Sequence, residues 1–213
     1  MWDAGVAFTP QSAAEAYTIT YNNSTDGAGT TGALTLAIYY VDSTTGKSAI
    51  TLHTLGNDGS DDLTISSFGI NRVAVASSGS ADVNTNAITI TGATSSNVAA
   101  FIPAGKGVTN QAFFTVGSNE KAFIYDFFLN IGKAGGSNAK VIVKAYVYNR
   151  SPADTVYELF RSIVNTATEQ TIVWTRYIPF VLNPNDVIYF VADTDTNAAS
   201  CEVRFNLNLH EIA

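Results

Sequence analysis

The side chains with the greatest chemical potential in this sequence are a glycine-flanked lysine, two histidines and two groups of aspartates. The segment Gly105-Lys106-Gly107 invites comparison with a phosphate-binding loop. Such a loop needs Gly-x-x-x-x-Gly-Lys-Ser/Thr between a strand and a helix. Here the spacing differs and a strand-like pattern follows, so we interpret the segment as a connection between two structural units.

The two histidines, His53 and His210, are candidates for proton transfer or zinc binding, because imidazole serves both roles near neutral pH. His53 lies in an alternating pattern that directs it away from Ile50 and Leu52. Neither histidine has a second His or Cys at zinc-ligand spacing. The single cysteine, Cys201, lies in an alternating apolar pattern that is typical of a buried strand thiol rather than a nucleophile.

The aspartates form two groups. Asp58, Asp61 and Asp62 lie in a glycine-rich turn, and Asp193 and Asp195 alternate in a later segment. Acidic loops can bind calcium, but the ordered ligand series with a distant Glu is absent, and no serine lies in a Gly-x-Ser-x-Gly elbow. We therefore expect solvated turn acids, no metal, no cofactor and no catalytic residue, so that the chain is not an enzyme.

The composition narrows the class of protein. The chain has 213 residues, a net charge of -7 and only 14% charged residues, against about 25% in an average soluble domain. Nucleic-acid binders normally carry a basic face, so this acidic balance argues against a nucleic-acid partner. One cysteine cannot form a disulfide within the chain, and no apolar run reaches the roughly 20 residues of a membrane helix.

Hydrophobic residues alternate with polar ones along most of the chain, and turn-forming residues separate these runs. This period of two indicates strands with one face in a core. Residues 42–47 are typical of a hairpin turn, and Leu63 to Phe68 is interpreted as one helical or irregular turn. Strands about every 8 to 12 residues predict an all-β protein of sandwiches or barrels.

Two β-sandwich units are expected, because charge and aromatic content change near Phe101 to Lys106. Residues 1–103 hold two basic and eight acidic side chains, whereas 104–213 hold nine basic and ten acidic ones and more aromatics. The predicted units are therefore an N-terminal β-sandwich, 1–103, and a jelly-roll-like β-sandwich, 104–213. Pro103, Gly105 and Gly107 are the candidate hinge between them.

Adjacent aromatic residues suggest an interface. Phe113 and Phe114 are neighbours, as are Phe127 and Phe128. Neighbouring strand residues face opposite sides of a sheet, and a small sandwich cannot cover both faces by itself. These four phenylalanines are therefore the candidate interface, and a homo-oligomer is expected.

Several phrases of the sequence resemble a group of virion structural proteins of tailed bacteriophages, of a type that recurs in marine phages. Members of this group have a strand–turn–strand opening, an Ile-Asn-Arg-like segment and an Ile-Pro-Ala-Gly hinge that leads into a second β unit. The segments of this chain that resemble them are Trp2-Asp-Ala-Gly, Thr35-Leu-Ala-Ile-Tyr-Tyr-Val-Asp-Ser-Thr-Thr-Gly-Lys-Ser, Ile70-Asn-Arg-Val, Ile102-Pro-Ala-Gly-Lys-Gly and Gln111-Ala-Phe-Phe-Thr-Val. The chain departs from the group at residues 117–121, where a second Pro-Ala-Gly-like turn would be expected.

The resemblance implies a non-enzymatic protein located in the virion, as a capsid decoration, head-fibre or tail accessory component. Its partners would be major capsid or tail proteins and further copies of itself, with a trimer preferred over a dimer and with no nucleic acid or membrane. The alternative is a carbohydrate- or receptor-binding module on the virion or cell surface. Trp2 and Trp174 exposed in a groove would favour that alternative, whereas aromatics inside strands favour core and interface.

Overall fold

The computed structural model describes residue 4 and residues 6–27, 31–133, 139–150, 154–166, 170–195 and 199–212. Every regular element in these ranges is a β-strand, which confirms the predicted all-β class. The chain divides into two compact units, Trp2–Gln111 and Ala112–Ala213. The boundary therefore follows Gln111 rather than Pro103.

The first unit is one antiparallel sheet of six strands in the order β3-β2-β4-β1-β5-β6. The strands are β1 (Glu15–Thr20), β2 (Ala33–Asp42), β3 (Ser48–Thr54), β4 (Ser60–Ser78), β5 (Ile88–Gly92) and β6 (Val98–Ile102). Residues 42–47 turn β2 into β3 as predicted, with the Thr45 amide donating to Asp42 Oδ1 at 2.7 Å.

Strand β4 belongs to both arms of this sheet, because it is 19 residues long and changes partners halfway. Ser67 is paired with Glu15 of β1 and also with Asp42 of β2. At this point the ladder is irregular, and the Ser67 hydroxyl donates to the Gly69 carbonyl at 2.8 Å. The first unit is thus one curled sheet where a two-sheet sandwich was expected, and the predicted turn at 63–68 is continuous strand.

One hydrophobic core fills the concave side of the first unit. It includes fully buried Tyr17 and Ile19 from β1, Leu36 and Ile38 from β2, and Ile90 from β5. Burial of each such side chain contributes roughly 1.5 to 3 kcal/mol. Along β1 and β2 the buried residues alternate with partly exposed ones, as the period of two predicts.

A buried carboxylate organises the loops at one end of the first unit. Asp26 is fully buried, and its Oδ1 accepts hydrogen bonds from the amides of Ala33 and Thr85, each at 2.9 Å. Its Oδ2 accepts the Asn86 amide at 3.0 Å. A Cβ at Gly32 would overlap this carboxylate, so glycine is required there. Asp26 thereby ties the loop before β2 to the loop before β5.

The second unit contains two antiparallel sheets, of four strands in the order β10-β9-β12-β7 and of three in the order β11-β8-β13. The strands are β7 (Phe113–Thr115), β8 (Glu120–Lys133), β9 (Ala139–Asn149), β10 (Thr155–Thr166), β11 (Gln170–Leu182), β12 (Asp186–Thr194) and β13 (Ala199–Glu211).

An aromatic cluster centred on Phe127 joins the two sheets of the second unit. The Phe127 ring stacks on Trp174 with centroids 4.7 Å apart and meets Phe190 edge-on at 5.3 Å. Phe190 in turn stacks on Phe205 at 5.5 Å. Because these rings come from both sheets, the layers share one hydrophobic core.

We predict that Asp26→Ala lowers the free energy of unfolding by about 3 kcal/mol, because the amides of Ala33, Thr85 and Asn86 all lose their carboxylate acceptor. Asp58→Ala is the matched control: Asp58 is an exposed turn acid, and its change should stay within about 0.5 kcal/mol. Equilibrium urea unfolding followed by circular dichroism measures both. Equal midpoints for the two variants would contradict the proposed role of Asp26.

Candidate interaction surface

His53 and Asp61, two of the residues considered for chemistry, lie close together. His53 Nε2 lies 3.2 Å from Asp61 Oδ2, and that same oxygen accepts the Gly56 amide at 3.0 Å. Burial, followed by the nearby Asp61 carboxylate, raises the pKa of Tyr21. A protonated tyrosine is a poor nucleophile, and the Asp61 contacts order the turn between β3 and β4.

The other candidates also have local partners. Lys144 Nζ donates to Asp193 Oδ2 at 2.8 Å, and the Lys140 amide donates to Asp195 Oδ1 at 2.9 Å. Within the described ranges, no three His, Cys, Asp or Glu side chains lie close enough together to share a metal ion. His210 contacts Phe123 edge-on, with ring centroids 5.0 Å apart.

Cys201 lies on strand β13, as the alternating pattern predicted, but it is half-buried against the second hydrophobic core rather than fully buried. Burial raises the pKa of its thiol, which lowers the fraction of reactive thiolate at neutral pH.

Three of the four candidate interface phenylalanines do not lie on an exposed face. Phe127 is fully buried at the centre of the aromatic cluster, Phe113 is 4% exposed, and Phe114 packs against the second core. Only Phe128 is directed to the outer side of the β11-β8-β13 sheet. Adjacent residues do face opposite sides, but that rule alone cannot tell which side is covered.

The candidate hinge is an anchored loop of the first unit. The buried Asn84 side chain donates to the Pro103 carbonyl at 2.9 Å and accepts the Gly107 amide at 2.8 Å. The Gly105 amide donates to the Asn84 carbonyl at 2.8 Å. Gly105 and Gly107 have φ of 71° and 67°, as a tight loop requires. The prediction that these residues form a hinge is therefore corrected.

The most exposed large apolar side chains in the described ranges belong to a bulge within β11. Tyr177 and Ile178 are 102% and 76% exposed, and they lie between Arg176 and Pro179. We call residues 176–179 the bulge tip. The Arg176 guanidinium lies over the Trp174 ring at 5.2 Å from its centroid, which anchors the start of the tip.

The bulge tip follows from the strand register. Thr175 is paired with Asp126 and Phe180 with Ile124, so the four tip residues stand opposite the single residue Tyr125. Pro179 has no backbone N–H to donate, which favours an irregular strand here. Tyr125 is itself 36% exposed, so this part of the sheet presents aromatic surface to solvent.

An open groove of about 250 Å³ lies on the outer face of the same sheet. It is lined by Phe128 and Asn130 from β8, by Thr171 from β11, and by Glu202 and Arg204 from β13. Arg204 Nε donates to Glu202 Oε1 at 2.7 Å, and both side chains are largely exposed. The outer face therefore combines an apolar centre with a charged strand at its edge.

Sequence reasoning did not identify the bulge tip. The only available signal was the interruption of alternation at Arg176-Tyr177-Ile178-Pro179, where two large residues precede a proline. Such an interruption is compatible with the end of a strand as well as with a bulge within one.

Comparisons with known proteins found no matching family model, no matching curated protein and no matching solved structure. Among the residues that the structure describes, no helix has the length and hydropathy needed to cross a bilayer.

We predict that Asn84→Ala accelerates trypsin cleavage after the exposed Lys106 by at least about tenfold, because it removes the two side-chain hydrogen bonds to Pro103 and Gly107. Each contributes roughly 1 kcal/mol to holding the loop closed. Asn57→Ala, an exposed turn residue, is the control. Mass spectrometry of the early fragments measures the rate. Rapid cleavage of the unaltered chain at Lys106 would instead favour the original hinge interpretation.

Proposed function

We propose that the chain is a non-enzymatic structural protein of a tailed-phage virion, acting as a capsid decoration, head-fibre or tail accessory component. The observation that carries the proposal is the bulge tip, where Tyr177 and Ile178 project from an all-β scaffold with almost no burial. Contiguous exposed apolar surface is a candidate site of contact with a partner, and we interpret the bulge tip as such a site. The resemblance of the sequence to virion proteins supplies the class of partner.

The strand order of the second unit supports the proposal. Three antiparallel pairs, β9–β10, β8–β11 and β7–β12, form a ribbon. The ribbon folds over so that β12 also pairs with β9 and β13 with β8. We infer a seven-stranded variant of the jelly roll, which has four such pairs in two sheets and occurs in viral capsid and lectin domains. This is an argument by analogy of fold.

The absence of catalysis is part of the proposal. Two observations support it: the His53–Asp61 contact orders a turn, and the thiol of Cys201 is half-buried with a raised pKa. We further propose that the protein works without a cofactor, as a homo-oligomer bound to major capsid or tail proteins, with no nucleic acid or membrane partner. The resemblance favours a trimer over a dimer.

A receptor- or carbohydrate-binding module remains a second candidate, because exposed Tyr177 and Tyr125 could stack on a sugar ring. Trp174 does not favour this candidate, since its ring stacks on Phe127 in the second core. Trp2 lies outside the described residues. Binding of the purified protein to a glycan array, with loss of the signal in Tyr177→Ala, would favour this second function.

We predict that the protein co-purifies with phage particles, and that Tyr177→Asp/Ile178→Asp reduces its incorporation by about tenfold or more. The reason is that burial of each side chain at a contact contributes roughly 1.5 to 3 kcal/mol, and 1.4 kcal/mol is tenfold in affinity. Ile163→Asp is the matched control, because Ile163 is 55% exposed on β10 of the other sheet. Quantitative mass spectrometry of density-purified particles gives the copy number.

Absence of the unaltered protein from purified particles would contradict the proposed function. If the bulge-tip variant and the control were incorporated equally, the chain would still be a virion protein, but the bulge tip would not be its contact with the particle.

A further inference from the structure

Strand β13 leaves a long edge of the second unit open. It pairs with β8 on one side over Ala199–Glu211. Within the described ranges, no other strand pairs with its second side. An open edge presents a row of backbone donors and acceptors that can pair with another chain. At 13 residues, this edge is long enough for a stable ladder.

The opposite edge of the same sheet is blocked. The bulge tip interrupts β11 for four residues, and Pro179 lacks a backbone donor. Bulges and prolines are the devices by which proteins prevent strand addition. Strand β13 contains no proline, and the irregularity in its ladder places the extra residue, Tyr125, on β8. The two edges therefore differ in their readiness to accept a strand.

The segment that precedes β7 in the chain is hydrogen-bonded to the first unit. In a complete jelly roll an eighth strand, placed before β7 in the chain, would pair with β13. Here the residues before β7 belong to the first unit. The Val75 amide donates to the Gly107 carbonyl at 2.7 Å, the Thr109 amide donates to the Val73 carbonyl at 2.9 Å, and Gln111 Nε2 donates to the Ile70 carbonyl at 2.9 Å. This segment therefore does not occupy the position beside β13.

Strand β13 is complementary to a second copy of itself. Its core-facing row is apolar and half-buried: Cys201, Val203, Phe205 and Leu207. In antiparallel pairing about a two-fold axis at Val203, Cys201 faces Phe205 of the other copy, so apolar residues meet. On the outer face, Glu202 faces Arg204 of the other copy twice. Opposite charges directly across a ladder are stabilising, whereas like charges are destabilising.

We propose that two copies of this chain pair edge to edge through β13, antiparallel and centred on Val203, so that each strand fills the vacant position of the other sheet. A two-fold contact of this kind uses the same surface on both copies. The inference rests on the proposed function as an assembling protein. It differs from the trimer that the resemblance favours, because a self-complementary edge closes after two copies.

Charge reversal in separate chains tests the pairing. In Glu202→Lys all charges at positions 202 and 204 are positive, and in Arg204→Glu all are negative. Each variant alone should dimerise about tenfold more weakly than the unaltered chain, since two cross-strand pairs become repulsive. An equimolar mixture should recover dimers of one chain of each kind, measured by native mass spectrometry. A contact within one chain cannot be restored by mixing.

A cross-link tests the register. In Cys201→Ser/Val203→Cys the two thiols meet at the two-fold axis, so mild oxidation should give a disulfide-linked dimer. Cys201→Ser/Ile163→Cys, with its thiol on exposed β10, should remain uncross-linked. A dimer that neither recovers on mixing nor cross-links at position 203 overturns the inference, as does a trimer.

A monomer at tens of micromolar would also overturn the pairing. The proposed virion role is judged separately, by the presence of the chain in purified particles, so the two can fail independently.

Discussion

The hydrogen bonds between Asn84 and residues 103–107 attach the segment that follows β6 to the first unit. They hold the Pro-Ala-Gly-Lys-Gly loop on the first unit. The following residues then continue along β4, where Val108 forms a bridge with Ala74. Because this stretch completes the first unit, it cannot supply a strand to the second. The boundary between the units follows Gln111, and within the described ranges the second side of β13 has no strand partner.

The sequence predicted the strands well because side chains alternate between the two faces of a sheet, and most apolar rows pack into a core. The apolar row of β3 is an exception, since it is exposed. The sequence could not predict the length of β4. Leu63 and Ile70 both belong to the first core. The change of pairing partner at Ser67 shifts the alternation of buried and exposed residues between them, so the sequence pattern resembles that of a turn. The prediction of a hinge is wrong for a similar reason. Glycines with positive φ occur in free loops and in anchored loops alike, and the local sequence does not show that the distant Asn84 anchors this one.

The candidate interface shows the same limit. Two adjacent phenylalanines must occupy opposite faces of β8, and they do, with Phe127 in the core and Phe128 outside. Which face is covered depends on the second sheet, whose strands are distant in sequence. The bulge tip was beyond prediction because it arises from a register difference between β11 and β8, and register is a property of two strands together.

The two edge strands of the β11-β8-β13 sheet differ in whether another strand can pair with them. Unpaired backbone groups at an edge invite association with any extended chain, so a soluble protein normally blocks them. Strand β11 is blocked by residues 176–179, which also raise Tyr177 and Ile178 above the sheet. Strand β13 has no such block, yet its alternating row and its single Glu202–Arg204 pair restrict which strand can pair with good charge complementarity. An edge that is open but selective suits a protein that assembles with copies of itself. Because the bulge tip lies on the other edge strand, pairing through β13 would leave Tyr177 and Ile178 exposed.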